Sequence, residues 1–223
     1  DVRYIQAALS VAAGEQASGI DAAYVRAAYI LWLAGWSRAG LEPEHLGYTE
    51  VLLSIAILLT LAWLTTLWAD RRAALWAGLC FACLPLDLLL TGVLTTDRLA
   101  LLTAMLATGL AWRAYTAPAQ QRHTHLIAAA AMIAVATSAK ELYVLLPIFL
   151  AAWALWRQRP IKPVLIRSLA LGVLSASFFS LEFGFFAWWM KDPLYRAGVI
   201  TGVYIGIEGL AGGVGRPGLN THA

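Results

Sequence analysis

The sequence predicts an all-α membrane protein, a polytopic bundle of transmembrane helices, and three observations carry that prediction. Of its 223 residues, 61% are apolar and 13% are charged, against about 45–50% and about 25% in an ordinary soluble domain. The apolar residues lie in runs near the roughly 20 residues that a bilayer-spanning helix needs. Ten Trp and eight Tyr residues suit a chain anchored at bilayer interfaces. These features exclude a disordered chain, a coiled coil and an ordinary water-soluble globule.

The apolar pattern divides the chain into three parts. Residues 1–47 are predicted to form an outer-face loop with juxtamembrane helices. Residues 48–190 are predicted to form a six-span transmembrane module, and residues 191–223 an outer-face loop that starts a missing C-terminal part. Since the chain begins without Met and stops in a Gly-rich tail with no closing element, we expect it to be incomplete at both ends. The apolar runs that predict the six spans are 51–69, 73–96, 99–115, 125–139, 142–156 and 164–190.

A shorter apolar segment, 22–36, carries Arg26 inside it. With about 15 residues it is marginal for a span, so a helix that lies in the membrane interface is favoured. In the alternative architecture, 22–39 crosses the membrane and separates Asp1 from Asp97 onto opposite faces.

Basic residues set the orientation of the spans. If the run 51–69 passes from outside to inside, the inner turns hold one acid, Asp70, against eight basic residues: Arg71, Arg72, Arg113, Arg122, Arg157, Arg159, Lys162 and Arg167. The positive-inside tendency favours this arrangement. We therefore expect an integral protein of the plasma or inner membrane whose site faces the outside or the periplasm.

Charged residues gather at this predicted outer face and form the candidate site. The acids are Asp1 and Asp97, and the cations are Arg26, Arg98 and Lys140. Arg and Lys can bind a lipid phosphate, and a carboxylate can take a proton from an acceptor hydroxyl. In the alternative interpretation, Asp97 only begins a helix and Lys140 is only part of a turn.

The order of several motifs resembles a known family. The stretches DVRYIQAA, YVRAAYILWL, RRAALWAGLCFACLPL and TTDRLALLTAMLATGLAWRAY are together similar to the dolichyl-phosphate-mannose mannosyltransferase and aminoarabinose transferase group of GT-C glycosyltransferases. The resemblance covers residues 1–160 in order and spacing. Ala27 and Ala28 replace the Pro-Pro pair of that group. Glu50 lies near a position where members of the group commonly have arginine.

Single residues match the motifs of that group. The resemblance places residues 1–4, which begin with Asp1, at the second half of a D-E-x-R-Y-like motif. It places Arg26 at the basic position of the group's next motif, a helix that begins with a basic residue and Pro-Pro. Thr96-Asp97 is similar to the start of a later span. Residues 138–141, followed by Pro147, resemble a T-K-E turn that leads to a proline.

The resemblance implies a membrane glycosyltransferase that moves a sugar from a polyprenyl-phosphate donor to an acceptor hydroxyl at the outer face, with inversion. Asp1, or the residue before it, would be the catalytic base, and Asp97 would orient the acceptor or the base. Arg26, Arg98 and Lys140 would bind the departing phosphate. No cofactor is assigned, and a divalent metal ion at Asp97 is left open.

The expected partners are a lipid-linked sugar donor, membrane lipids and a glycan, lipid or protein acceptor, with no nucleic acid. Secondary site candidates are Arg3, Tyr4, Glu141, Glu182 and His222. Glu182 is an intramembrane acid, which marks either a functional site or a hydrogen bond to a neighbouring helix.

Two other functions are considered beside the enzyme. One is a transporter or flippase-like protein for a lipid-linked or anionic substrate, and the other is a non-catalytic membrane scaffold. Transporters often show repeated halves and binding sites at the midplane. The sequence has no internal repeat, and its charges gather at one interface, which favours the enzyme.

Overall fold

The computed structural model describes residues 2–16, 25–83, 94–157 and 161–204, and within these ranges the protein is helical and has no strand. The all-α prediction is therefore confirmed for the described residues. Two short 3-10 helices, Pro43–His45 and Glu141–Leu145, accompany the α-helices. The α-helices are α1 Val2–Ala13, α2 Ala27–Arg38, α3 Tyr48–Trp68, α4 Arg71–Ala82, α5 Thr96–Thr116, α6 Ala119–Ala139, α7 Leu146–Arg157, α8 Ile161–Phe179, α9 Leu181–Trp189 and α10 Tyr195–Tyr204.

Among the described residues, two helical stretches are long and apolar enough to cross a membrane. They are Pro43–Trp68, with 26 residues, and Ile161–Trp189, with 29 residues. A core helix of a soluble protein passes the same test of length and composition, but it is mostly buried. Here only 22% of each apolar window is buried, and large side chains such as Leu59 and Leu169 are exposed. These two helices therefore present apolar faces that nothing in the described structure covers.

The arrangement of six spans stays a prediction. Two runs that were expected to form spans hold short helices in their described parts: α4 in the run 73–96, of which residues 84–93 lie outside the described residues, and α7 in the run 142–156. Each of these helices has 12 residues. At 1.5 Å per residue such a helix is about 18 Å long, against about 30 Å of hydrocarbon core. In the second run the residues after Lys140 form a 3-10 helix before α7 begins. Neither α4 nor α7 is long enough to cross a bilayer alone.

Helices α5 and α6 form the antiparallel centre of the bundle, with 21 residues each. Their facing sides carry small buried residues, among them Ala107, Ala111, Ala129 and Ala130. Small side chains allow two helix backbones to approach closely, which is how helices associate where lipid offers no hydrophobic advantage. Helix α8 packs against α6, and α3 packs against α5.

Helices α1 and α2 lie side by side and run in the same direction. The rings of Tyr4 and Tyr29 meet edge to face with centroids 5.2 Å apart. At the other end, Arg38 donates hydrogen bonds to the backbone carbonyls of Val11 and Ala12, both at 3.0 Å. Since α2 has 12 residues and a length of about 18 Å, it is too short to span. The geometry favours the juxtamembrane helix over the alternative in which 22–39 crosses the membrane.

One end of the bundle collects several helix termini. The first turns of α2, α3 and α5 meet there with the last turn of α6 and the 3-10 helix that follows it, as the contacts described below show. This is the end that the sequence assigns to the outer face. The turn between α5 and α6 lies at the opposite end.

Candidate functional site

The innermost part of the site is built around Glu50, which lies in the first turn of α3 and is fully buried. Tyr29 Oη donates a hydrogen bond to Glu50 Oε1 at 2.5 Å. Arg98 Nη1 lies 3.5 Å from Glu50 Oε2. Burial raises the pKa of the Tyr29 phenol and the Glu50 carboxylate raises it further, so Tyr29 stays a protonated donor. Arg98 is thus held inside the bundle by an acid.

A second pair is exposed to solvent. Lys140 Nζ, just after the last turn of α6, donates to Asp97 Oδ1 in the first turn of α5. Their side chains are 41% and 62% exposed. Exposed ion pairs contribute about 0–1 kcal/mol, so either partner can exchange this contact for a ligand at little cost.

A third pair joins Arg26, directly before α2, to Glu141 in the 3-10 helix. Burial alone raises the pKa of the Glu141 carboxyl, but the hydrogen bond and charge of Arg26, with a smaller contribution from Arg196, outweigh it. The net effect is a pKa below the usual range. Glu141 is therefore ionised at neutral pH.

A fourth ion pair joins Glu182 of α9 to Arg196 of α10, and both residues are buried. Arg196 Nη1 donates to Glu182 Oε1 at 2.6 Å and to Oε2 at 2.8 Å. The same guanidinium donates to the backbone carbonyls of Thr137 at 2.6 Å and Ser138 at 3.2 Å. Glu182 also accepts from Ser138 Oγ at 3.1 Å. These contacts tie α10 and α9 to the last turn of α6.

These eight charged residues form one group, which we name the polar cluster. Two of its pairs are linked directly, because Arg196 Nη2 also lies 3.6 Å from Glu141 Oε1. The other two are joined to them along the chain, since Asp97 precedes Arg98 and Lys140 precedes Glu141. Positive and negative charges balance within it. The members are Arg26, Arg98, Lys140 and Arg196 with Glu50, Asp97, Glu141 and Glu182.

Two cavities open beside the polar cluster. One, of about 360 Å³, lies between α2, α6, α8 and α9, with Ser138 and Glu182 as its polar wall. The other, of about 300 Å³, has Arg196 and Glu141 in its wall and shares Phe179 and Glu182 with the first. Most of the remaining lining is apolar. Each cavity therefore places an apolar surface next to charged groups.

The structure brings together most of the residues that the sequence singled out. Arg26, Asp97, Arg98 and Lys140 all belong to the polar cluster, as do the secondary candidates Glu141 and Glu182. Of the two interpretations of Glu182, the hydrogen bond to another helix is observed. Arg3 is exposed on the first turn of α1, and Tyr4 packs on Tyr29. Asp1 and His222 lie outside the described residues.

Sequence reasoning missed three members of this arrangement. Tyr29 was not singled out, and Glu50 was noted only as a departure from a family pattern. Arg196 was not considered, although an acid expected within a span, such as Glu182, calls for a cationic partner. A search for that partner among the basic residues near the ends of the spans would have included Arg196.

The described part of the chain contains no group of side chains that could bind a metal ion. No three His, Cys, Asp or Glu side chains there lie close enough to hold an ion. No protein-family model, curated protein or solved structure matches the sequence or the fold.

Proposed function

We propose that the protein is a membrane glycosyltransferase that moves a sugar from a polyprenyl-phosphate donor to an acceptor hydroxyl at the outer face of the membrane. The observation that carries this proposal is the position of the polar cluster beside two apolar cavities. A polyprenyl-phosphate sugar has the same two parts, a long apolar chain and an anionic head. The family resemblance of the sequence motifs points to the same donor.

The exposed apolar faces of α3 and α8 support an integral membrane location. Contiguous apolar surface of this kind marks contact with a membrane or another protein. In the proposal, hydrocarbon covers these faces and the donor enters sideways from the bilayer. Its isoprenoid chain then lies along Phe178 and Phe179, and its phosphate lies near Lys140 and Arg26.

The chemistry is a single displacement at the anomeric carbon. The acceptor oxygen forms a bond to that carbon, the bond to the phosphate oxygen breaks, and the acceptor proton passes to a carboxylate. The departing polyprenyl phosphate gains negative charge, which Lys140 and Arg26 stabilise. Asp1 is the proposed base, and Asp97 orients the acceptor once Lys140 turns to the phosphate.

Arg98 has a different role in this scheme from that of Lys140. Because Arg98 is buried against Glu50, its charge is compensated before any donor arrives. It holds the first turn of α5 in place and thereby positions Asp97. The exposed cation Lys140 is the group that is best able to meet a phosphate.

A non-catalytic scaffold is the second candidate, and the charge balance of the polar cluster favours it. A site built to bind an anion often has an excess of positive charge, whereas here each cation has an acidic partner. In the scaffold, these pairs only hold the helix ends together.

Lys140→Ala separates the two candidates. The measurement is transfer of radiolabelled sugar from polyprenyl-phosphate mannose or polyprenyl-phosphate aminoarabinose in membranes that contain the protein, with the native membrane fraction as acceptor source. We expect the variant to lose at least about tenfold in rate, which corresponds to about 1.4 kcal/mol. The removed side chain is an exposed one, so the variant should remain folded in detergent.

Lys191→Asn is the matched control. Lys191 is an exposed cation with φ of 55°, and asparagine tolerates that backbone region. We expect normal transfer from it. Normal transfer by Lys140→Ala would remove the phosphate-binding role, and a folded wild-type protein without transfer from either donor would favour the scaffold.

A further inference from the structure

A third cavity lies at the opposite end of the bundle from the polar cluster. It has a volume of about 280 Å³ and is enclosed by the end of α5, the first turns of α6 and the first half of α8. Arg122, His123 and Arg167 stand in its wall with Ala114 and Ala119. We name it the basic cavity.

Backbone carbonyls hold the two guanidinium groups of the basic cavity in place. Arg122 Nε donates to the carbonyl of Ala117 at 2.6 Å. Arg167 Nη1 donates to the carbonyl of Tyr115 at 3.0 Å. Both arginines are half-buried, and each uses one of its five N–H groups in these bonds. No side chain in the described ranges accepts a hydrogen bond from either guanidinium group.

The basic cavity has no acid to balance its charge in the described ranges. No carboxylate there forms an ion pair with Arg122 or Arg167. Asp70, the acid of the predicted inner turns, instead accepts a hydrogen bond from the backbone N–H of Ala73 and begins α4. In the polar cluster every cation meets a carboxylate, so the two ends of the bundle differ in net charge.

We infer that the basic cavity binds a phosphate group. Two guanidinium groups in one cavity wall, each held by a backbone carbonyl and neither paired with an acid in the described ranges, supply the positive charge that a phosphate requires. The first turn of α6 borders the same space, and the N-terminus of a helix favours an anion. The positive-inside orientation places the cavity at the inner leaflet, where basic pockets between helices hold anionic lipid headgroups. A soluble phosphate in the cytoplasm offers the same chemistry.

Ala119→Glu tests the inference without removing either arginine. Ala119 is exposed at the first position of α6, where a glutamate suits the helix dipole, so the fold should tolerate it. Its carboxylate would compete with a phosphate for Arg122 and Arg167. Gln120→Glu is the matched control, since Gln120 is exposed on the same turn and does not line the cavity.

The experiment titrates the full chain in detergent with phosphatidylglycerol, phosphatidylcholine and inorganic phosphate, with binding followed by native mass spectrometry for the lipids and by calorimetry for phosphate. We expect phosphatidylglycerol to bind better than phosphatidylcholine. In Ala119→Glu the affinity for phosphatidylglycerol should fall by at least about tenfold, because a charge-assisted contact to phosphate is a strong hydrogen bond. Gln120→Glu should bind like the wild type.

The two sources of phosphate give different results. If Ala119→Glu loses phosphatidylglycerol binding and Gln120→Glu keeps it, the ligand is a lipid headgroup. If only inorganic phosphate loses affinity in that variant, the ligand is a soluble phosphate and the inference holds. If Ala119→Glu and Gln120→Glu bind both anions equally well, the basic cavity is not a phosphate site. This inference is independent of the proposed sugar transfer, which can fail without affecting it.

Discussion

At the scale of single residues, the pair of Glu182 and Arg196 illustrates how a buried charge is tolerated. Arg196 is 7% exposed and Glu182 is 8% exposed, so both ions have lost most of their water. The carboxylate oxygens receive donors from Arg196 and Ser138, and the guanidinium also reaches two backbone carbonyls. A buried ion pair is stable only when the polar atoms of both groups also have hydrogen-bond partners.

Removing one partner of this ion pair should therefore lower the free energy of unfolding more than removing both. We expect Arg196→Met to destabilise the protein by about 3–5 kcal/mol, because it leaves a buried carboxylate uncompensated. In the double variant with Glu182→Gln, part of that loss should be recovered. Denaturant unfolding of the four proteins in detergent measures the coupling, which should reach at least about 1 kcal/mol. Losses that simply add would contradict the pairing.

The sequence could indicate which charged residues face the same end, but not their partners. Asp97 and Lys140 were predicted to lie at the same face because each lies at the end of an apolar run. Successive predicted spans cross the membrane in opposite directions, which brings these two ends to one side. Glu50 lies at the start of an apolar run like many interfacial acids, and nothing local indicates that Tyr29 bonds to it. Pairing depends on the rotation of each helix about its axis, which spacing along one chain does not specify.

At the scale of helices, Gly109 sets the approach of α5 to α3. A Cβ atom at this position would meet the Trp63 ring and come within 2.8 Å of Leu64 Cδ2. The Arg113 guanidinium, one turn further along α5, lies 5.7 Å from the centroid of the Trp63 ring. A glycine here allows an aromatic side chain to lie directly on the helix backbone.

We expect Gly109→Ala to destabilise the protein by about 1–3 kcal/mol, the usual cost of forcing an extra group into a packed contact. Gly172→Ala in α8 is the matched control, since a Cβ there meets nothing within 4 Å. It should be neutral or stabilising by up to about 1 kcal/mol through helix propensity. Thermal unfolding of both variants in detergent makes the comparison. Equal stability of the two variants would show that Trp63 does not restrict position 109.

Helix type was easier to predict than helix length. Long apolar runs correctly indicated α3 and α8–α9, whose composition leaves few alternatives to a helix. The run 142–156 looked equally continuous, yet it divides between a 3-10 helix and α7. At this division Lys140 and Glu141 form ion pairs with Asp97 and Arg26 elsewhere in the chain. Hydropathy records none of these contacts.

At the scale of the whole molecule, the two ends of the bundle have different electrostatic character. The polar cluster is balanced in charge and borders apolar cavities, whereas the basic cavity at the opposite end has an excess of positive charge. Apolar faces of α3 and α8 lie between these ends. This distribution is the one that the proposed function requires, in which lipid surrounds the middle of the bundle.

The central claim is that a polyprenyl-phosphate donor lies in the cavity between α2, α6, α8 and α9. The most direct measurement is photo-crosslinking of the membrane-embedded protein with a polyprenyl phosphate that carries a diazirine on its isoprenoid chain, followed by peptide mass spectrometry. We expect labels at Val135, Phe178 and Phe179, which line that cavity, and we expect excess unlabelled polyprenyl phosphate to remove them. Labels that resist this competition and spread along outward-facing residues such as Leu59 and Leu169 would contradict the account.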